Sequence, residues 1–256
     1  MKIDYTGLLL GKDPELKEGV KVHVPTVGEI TDMGIESYSG LSRPFVATIR
    51  ELFSASKDVD EIEKQCPTLW MAKSNEDLDM MCGKFFGDIS LTNVLIRGMA
   101  FWLKSEAEDF EVLSNGKIVN RSLNLVVDEP TFNELGDIIA KITLHKTNDL
   151  LIAPRNMSEA RRSIWEKLYE GRLKKLKNQK GGSLGDKILI LSVISAGTYS
   201  FSDIVKLTYF QFESLLKGYL TKQSAERNWA VYTAYKFDTK EMKFKDWTET
   251  LELKPD

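Results

Sequence analysis

At 256 residues the chain can bury a substantial core, as one large domain or two small ones. Hydrophobic content of 42% and charged content of 29% exclude disorder as a global state. A formal net charge of −3 argues against a surface that is one continuous phosphate-binding field, although a local basic strip stays open.

Cys66 and Cys82 lie outside any paired metal spacing, and a chain of this length needs no disulfide, which points to a reducing compartment. The opening MKIDYTGLLLGKDPEL has too short an apolar run for a secretory leader, and no later run approaches a membrane span. The expected location is the cytoplasm, without membrane association.

VKVHV, Val20 to Val24, alternates as a half-buried strand does and stops at Pro25. Thr26 with Glu29 has capping-box spacing and predicts a short helix. Ser42 with Pro44 predicts the start of another, RPFVATIRELF, with Phe45, Ile49, Leu52 and Phe53 on one face. Residues 57–90 predict short helices and loops. LTNVLIRGMAFWLK, Leu91 to Lys104, is apolar nearly all round and predicts a buried helix.

FEVLSNGKIVN carries Asn115-Gly116 between two apolar runs and predicts a β-hairpin, to which LNLVV adds a third strand. Thr131 with Glu134 marks a further helix start, followed by Leu135, Ile138, Ile139 and Ile142. Composition changes near Ala153-Pro154, so the predicted division is an α+β part, residues 1–152, and a helical part, residues 153–256.

The second part opens on a basic helix that Ser158 can cap. Ile164, Trp165, Leu168, Tyr169, Leu173 and Leu176 make its apolar stripe, with Arg161, Arg162, Arg172, Lys174 and Lys175 elsewhere. DKILILSVIS is a buried strand or, better, a helix ended by Ala196-Gly197. Ser202 and Thr208 are read as caps of a short turn and of a longer helix with Phe212, Leu215, Leu216, Tyr219 and Leu220. WAVYTAYKF fits strand alternation and helical spacing alike. The fold class is therefore α+β and mostly helical.

Catalytic constellations are absent from the pattern. A serine or cysteine nucleophile needs a base, and His23 and His145 have no supporting motif. No CxxC, HxxxH or HExxH occurs, so buried thiols are expected and no metal site. GGSLGDK lacks the GK[ST] ending of a phosphate-binding loop and reads as a connector. The acidic runs NEDLD and EAEDFE read as solvated loops. No catalytic residue, cofactor or metal is assigned.

Two features invite a nucleic-acid reading. The basic helix could touch phosphates while Trp165 or Tyr169 stacked on a base, but these rings share the apolar stripe, which favours packing. SFSDIVKLTYFQFESLLKGYL, residues 200–220, has a helix-turn-helix outline, yet its second helix begins with Tyr209, Phe210, Phe212 and Glu213 where base readers carry polar and basic groups. Packing on protein fits this chemistry better.

VHVPTVGEI, the passage from NGKIVN to FNELGDIIAKI, and ILSVISAGTYSFSDIVKLTYFQFESLLKGY together resemble tail assembly chaperones and related tail-module proteins of phages and prophages of Gram-positive bacteria. The DIVKLTYFQF element with Gln211 carries most of the resemblance, whose coverage is broad but patchy. It implies a non-enzymatic protein in the cytoplasm of the bacterial host. Its implied partner is a phage tail protein, the tape-measure protein first, whose long apolar stripe it would cover during tail morphogenesis. Trp165, Tyr169, Leu173, Tyr209, Phe210 and Phe212 are the candidate partner contacts, each with core packing as the rival role. Homo-oligomer formation is compatible with this role. The alternatives are a structural tail or baseplate component of the virion, and a nucleic-acid-binding regulator.

Overall fold

The computed structural model describes residues 4–17, 19–178, 182–234 and 246–251. The fold is α+β and mostly helical, with a hairpin and a three-stranded antiparallel sheet in the N-terminal half and helices thereafter.

α1 (Tyr5–Leu9) starts at Asp4, whose carboxylate accepts the Thr6 N–H at 2.9 Å. β1 (Glu15–Lys17) and β2 (Val20–Lys21) pair antiparallel. β2 is shorter than the expected Val20–Val24 strand, because the His23 N–H leaves the ladder and donates to the Trp102 carbonyl at 2.7 Å. The alternation still holds in burial: Val20, Val22 and Val24 are all enclosed. α2 (Val27–Met33) begins on the predicted box, with the Thr26 N–H donating to Glu29 Oε2 at 2.8 Å and the Glu29 N–H to Thr26 Oγ1 at 3.1 Å.

α3 (Ile35–Val46) corrects one expectation: it runs through Pro44 and does not start there. The Ser42 hydroxyl donates back to the Tyr38 carbonyl at 2.7 Å and caps nothing. The restart falls at Thr48, boxed with Glu51, which opens α4 (Ile49–Leu52). α5 (Val59–Gln65), α6 (Leu69–Ala72) and α7 (Glu76–Phe85) are the short helices expected next. α8 (Leu91–Trp102), capped by Ser90, buries Leu91, Val94, Leu95, Met99 and Trp102.

β3 (Phe110–Val112), β4 (Ile118–Asn120) and β5 (Leu125–Val127) form a meander with Glu111, Val119 and Val126 in register. Gly116, at φ 77°, takes the left-handed turn position. α9 (Glu129–Ile142) starts earlier than expected. Asp128 accepts both the Thr131 N–H at 3.1 Å and its hydroxyl at 2.6 Å, so Thr131 is spent on the cap and does not provide it.

α10 (Glu159–Asn178) is the basic helix, and α11 (Leu184–Ile194) resolves the DKILILSVIS ambiguity as helix. Ser183 and Asp186 form its capping box, so the GGSLGDK connector ends as a helix start. α12 (Phe201–Ile204) is capped by Ser200 and not by Ser202, because only Ser200 has an acidic residue, Asp203, three positions on. α13 (Tyr209–Thr233) takes WAVYT as helix, and Tyr235 and Phe237 lie outside the described residues. α14 (Trp247–Thr250) is a single turn.

Two compact units form. Among the described residues the first gathers 14–17, 19–23 and 34–178, and the second 4–13, 24–33, 182–234 and 246–251. The linear division at 152/153 does not coincide with them, since α10 clusters with the first. The junction itself is held there. Arg50, only 6% exposed, donates from Nη1 to the Ala153 carbonyl at 2.8 Å, and Arg155 Nη2 donates to Glu63 Oε1 at 2.9 Å. A change of composition reports which faces meet water, whereas these bonds decide what the backbone touches.

In the first unit α8 and α9 pack on α3 through glycines. A Cβ at Gly98 would collide with the Phe45 ring, and one at Gly136 would sit 2.5 Å from the Phe45 carbonyl oxygen. Phe132 lies between Phe45 and Trp70, with ring centres 5.5 and 5.2 Å away. The second unit has its own core of Val27, Leu191, Ile204, Phe212 and Leu216.

Candidate functional site

A concave surface runs along α13 in the second unit. Its position follows from how the helix is started. The Gln211 side chain accepts the Thr208 N–H at 2.9 Å while the Gln211 N–H donates to Thr208 Oγ1 at 3.2 Å, which completes a capping box. The residues just before it run along α2: Val27 and Gly28 donate to the carbonyls of Leu207 and Val205, both at 2.9 Å, and Tyr209 donates to Pro25 at 2.8 Å. The helix is thereby fixed in rotation as well as position.

That rotation divides the apolar residues of α13 between two faces. Phe212 and Leu216 enter the core, and Phe210 is fully enclosed with the Tyr5 ring centre 6.3 Å away. The adjoining face, Ser214, Leu215, Gly218, Tyr219 and Lys222, lines a groove of about 410 Å³ together with Leu9, Trp247 and Leu251. A second stretch of about 280 Å³ continues along Ala225, Glu226, Trp229 and Trp247. Gly218 is the floor, where the absence of a side chain opens the width.

The groove is chemically plain. Its charged lining residues are Lys222 and Glu226, one helical turn apart with Nζ to Oε1 at 3.9 Å. Elsewhere on α13 Glu213 Oε1 accepts from Lys187 Nζ at 2.6 Å, and burial together with Glu213 pushes the Tyr209 hydroxyl above its ordinary range. Such a surface suits apolar side chains from another polypeptide.

The six expected contact residues are distributed otherwise. Phe210 and Phe212 are fully buried and serve the core, while Tyr209 is half-buried. On α10, Trp165 is buried with Tyr169 stacked on it at 4.8 Å between ring centres, and Tyr169 and Leu173 are half-buried. The stripe on α10 is unevenly covered: Ile164 and Leu168 are 61% and 51% exposed while Trp165 is buried.

The sequence reading overlooked the groove's floor. Leu215, Gly218, Lys222, Ala225 and Trp229 repeat at alternating steps of three and four, the spacing of a helix seam. Glycine, lysine and alanine at three of these positions hide the seam from any search for apolar residues. Leu9, Trp247 and Leu251 come from distant parts of the chain and carry no local signal.

Elsewhere the thiols of Cys66 and Cys82 are free and buried, and burial pushes Cys82 up to about 12, with Asp79 adding to the shift. His23 follows β2 and sets its ring edge-on to Phe101, 6.0 Å between centres. Among the described residues His145 Nε2 has no hydrogen-bond partner, and it is enclosed. Among the described residues no group of three or more His, Cys, Asp and Glu side chains is arranged to hold a metal ion, and no helix is long and apolar enough to cross a membrane.

A family model described as the YomV second domain matches residues 175–252, the stretch that contains α11, α13 and every groove-lining residue named above except Leu9. Over these residues the chain is similar to a phage-type family, from a Bacillus prophage, which supports a phage-related protein. No curated protein matches, and no solved structure does.

Proposed function

We propose that the protein is a non-enzymatic phage tail assembly factor that holds an apolar, helical stretch of a tail protein, foremost the tape-measure protein, during tail morphogenesis. The observation that carries this reading is the groove along α13, an apolar face formed mostly by the part of the chain similar to a phage-type domain. A long amphipathic helix awaiting polymerising tube subunits needs its stripe covered reversibly. A groove with few charges offers apolar contact of moderate strength.

Co-expression with the tape-measure protein tests it. The expected result is a soluble complex that Gly218→Leu, which fills the groove floor, weakens at least ten-fold. A tape-measure protein that stays insoluble and unbound removes the reading.

A second reading, a structural tail or baseplate component, draws support from the apolar residues exposed on α11 and α12: Leu189, Val193 and Phe201 are 54%, 69% and 56% exposed. A permanent subunit contact would cover them. Stoichiometric recovery of the chain from purified virions would favour this second reading. The inward Trp165–Tyr169 stack weighs against base stacking by α10, and a nucleic-acid regulator is the weakest of the three readings.

A further inference from the structure

The groove is partly filled by the chain itself. Trp247 lines both stretches and Leu251 the first, and Leu251 Cδ1 lies 3.8 Å from where a Cβ on Gly218 would stand. The two residues are four apart, the spacing by which a docked helix sets two anchors on one face. Trp247 begins the single turn α14 and Leu251 is its C-cap; the turn is opened by Asp246, whose carboxylate accepts from the Thr248 N–H at 2.8 Å and the Thr248 hydroxyl at 2.6 Å.

One helical turn has no stability of its own in water, because nucleation costs more than a single hydrogen bond returns. α14 is ordered by its capping contacts and by what Trp247 and Leu251 touch. The fit is incomplete: Leu251 remains 40% exposed beside the open volume. A segment seated this way shows what the groove accepts without saturating it.

We propose that Asp246–Leu251 is a displaceable occupant of the α13 groove, and that a partner helix bearing an aromatic residue and a leucine four positions apart competes for the same place. This rests on reading the groove as a docking surface for an apolar helix. A tethered segment acts at an effective concentration of about 1 mM, so if its free peptide binds with a Kd of about 100 μM it weakens any competitor about ten-fold. That handicap favours release, since the chain refills its own groove as the partner leaves.

The probe is a fluorescent peptide of residues 246–256, titrated by anisotropy into three hosts: the full chain, a chain ending at residue 245, and a full chain carrying Trp247→Ala with Leu251→Ala. The third host keeps the test sound if truncation impairs folding. The peptide is expected to bind the two emptied hosts about ten times more tightly than the full chain. Gly218→Leu in an emptied host, or the two alanines placed in the peptide, should abolish binding. Equal affinity for all three hosts, or no binding to the doubly substituted chain up to millimolar peptide, overturns the proposal. Failure of the tape-measure complex while the peptide still competes would sink the tail-assembly reading and leave the displaceable segment standing.

Discussion

Gln211 donates from Nε2 to the carbonyl of Leu9 at 2.9 Å, across 202 positions of sequence, while its Oε1 accepts the Thr208 N–H at the same distance. One amide thus caps α13 and ties down the end of α1. Gln211→Ala removes both bonds and should cost about 1 to 2 kcal/mol, a fall of roughly 3 to 6 °C in the melting temperature. Gln211→Glu separates the roles: its carboxylate can still cap but faces the Leu9 carbonyl. Calorimetry is expected to show it destabilised too, whereas a wild-type melting point would mean that the cap alone matters.

Arg50 is buried, with Nε and Nη2 on Glu63 Oε2 at 2.9 and 2.7 Å and Nη2 also on Asp60. Removing one member of such a cluster strands the others, so Arg50→Ala should cost about 3 kcal/mol. Lysine should not restore it, because an ammonium cannot make the paired bonds of a guanidinium. Urea unfolding of both variants checks this.

Acid should act on the same cluster. Hydrogen bonds from Arg155, then Arg50, hold the Glu63 carboxyl at about 2, below its ordinary 4.5. A carboxylate lowered on folding adds stability that is fully present above its unfolded value and disappears as pH falls through its folded one. The loss assigned to Glu63 therefore lies between pH 4.5 and about 2. Glu63→Gln should be less stable at pH 7, and its stability should fall less across that window than the wild type's.

Cys66 and Cys82 are 6% and 0% exposed, and burial keeps the Cys82 thiol protonated. A thiol reacts as its thiolate and only where reagent reaches it. Neither should react with a disulfide reagent in the native protein within minutes, and both should react after denaturation. Rapid native labelling of Cys82 would contradict its enclosure.

The glycines against Phe45 should differ in tolerance. At Gly98 an added methyl meets chiefly a ring that can tilt, with the Leu41 carbonyl oxygen next at 3.1 Å, whereas at Gly136 it meets the Phe45 backbone oxygen in the last turn of α3 at 2.5 Å. Gly136→Ala is expected to cost about 2 to 3 kcal/mol and Gly98→Ala less. Equilibrium denaturation of the two variants orders them.

Helix starts were the most legible feature where the cap and its partner sit three residues apart, as with Thr26 and Glu29 or Thr208 with the helix that follows. The misreadings at Ser42 and Thr131 share a cause, and the one at Ser202 has another. A hydroxyl can donate as well as accept, and each of the first two donates to a neighbour, back to Tyr38 or onto Asp128. Ser202 lost to Ser200 because Asp203 stands at the right distance from only one of them.

The sequence by itself determined the α+β class, the three-stranded meander around Gly116, the enclosed helix α8 and most caps, because those depend on spacing within a few residues. Tertiary structure alone decided which apolar side chains become core. Phe210 and Phe212 are enclosed and Leu215 and Trp229 line a groove because bonds to Leu9, Pro25 and α2 set the rotation of α13. Local spacing tells which residues share a face of a helix; only the contacts that orient the helix tell which face meets water.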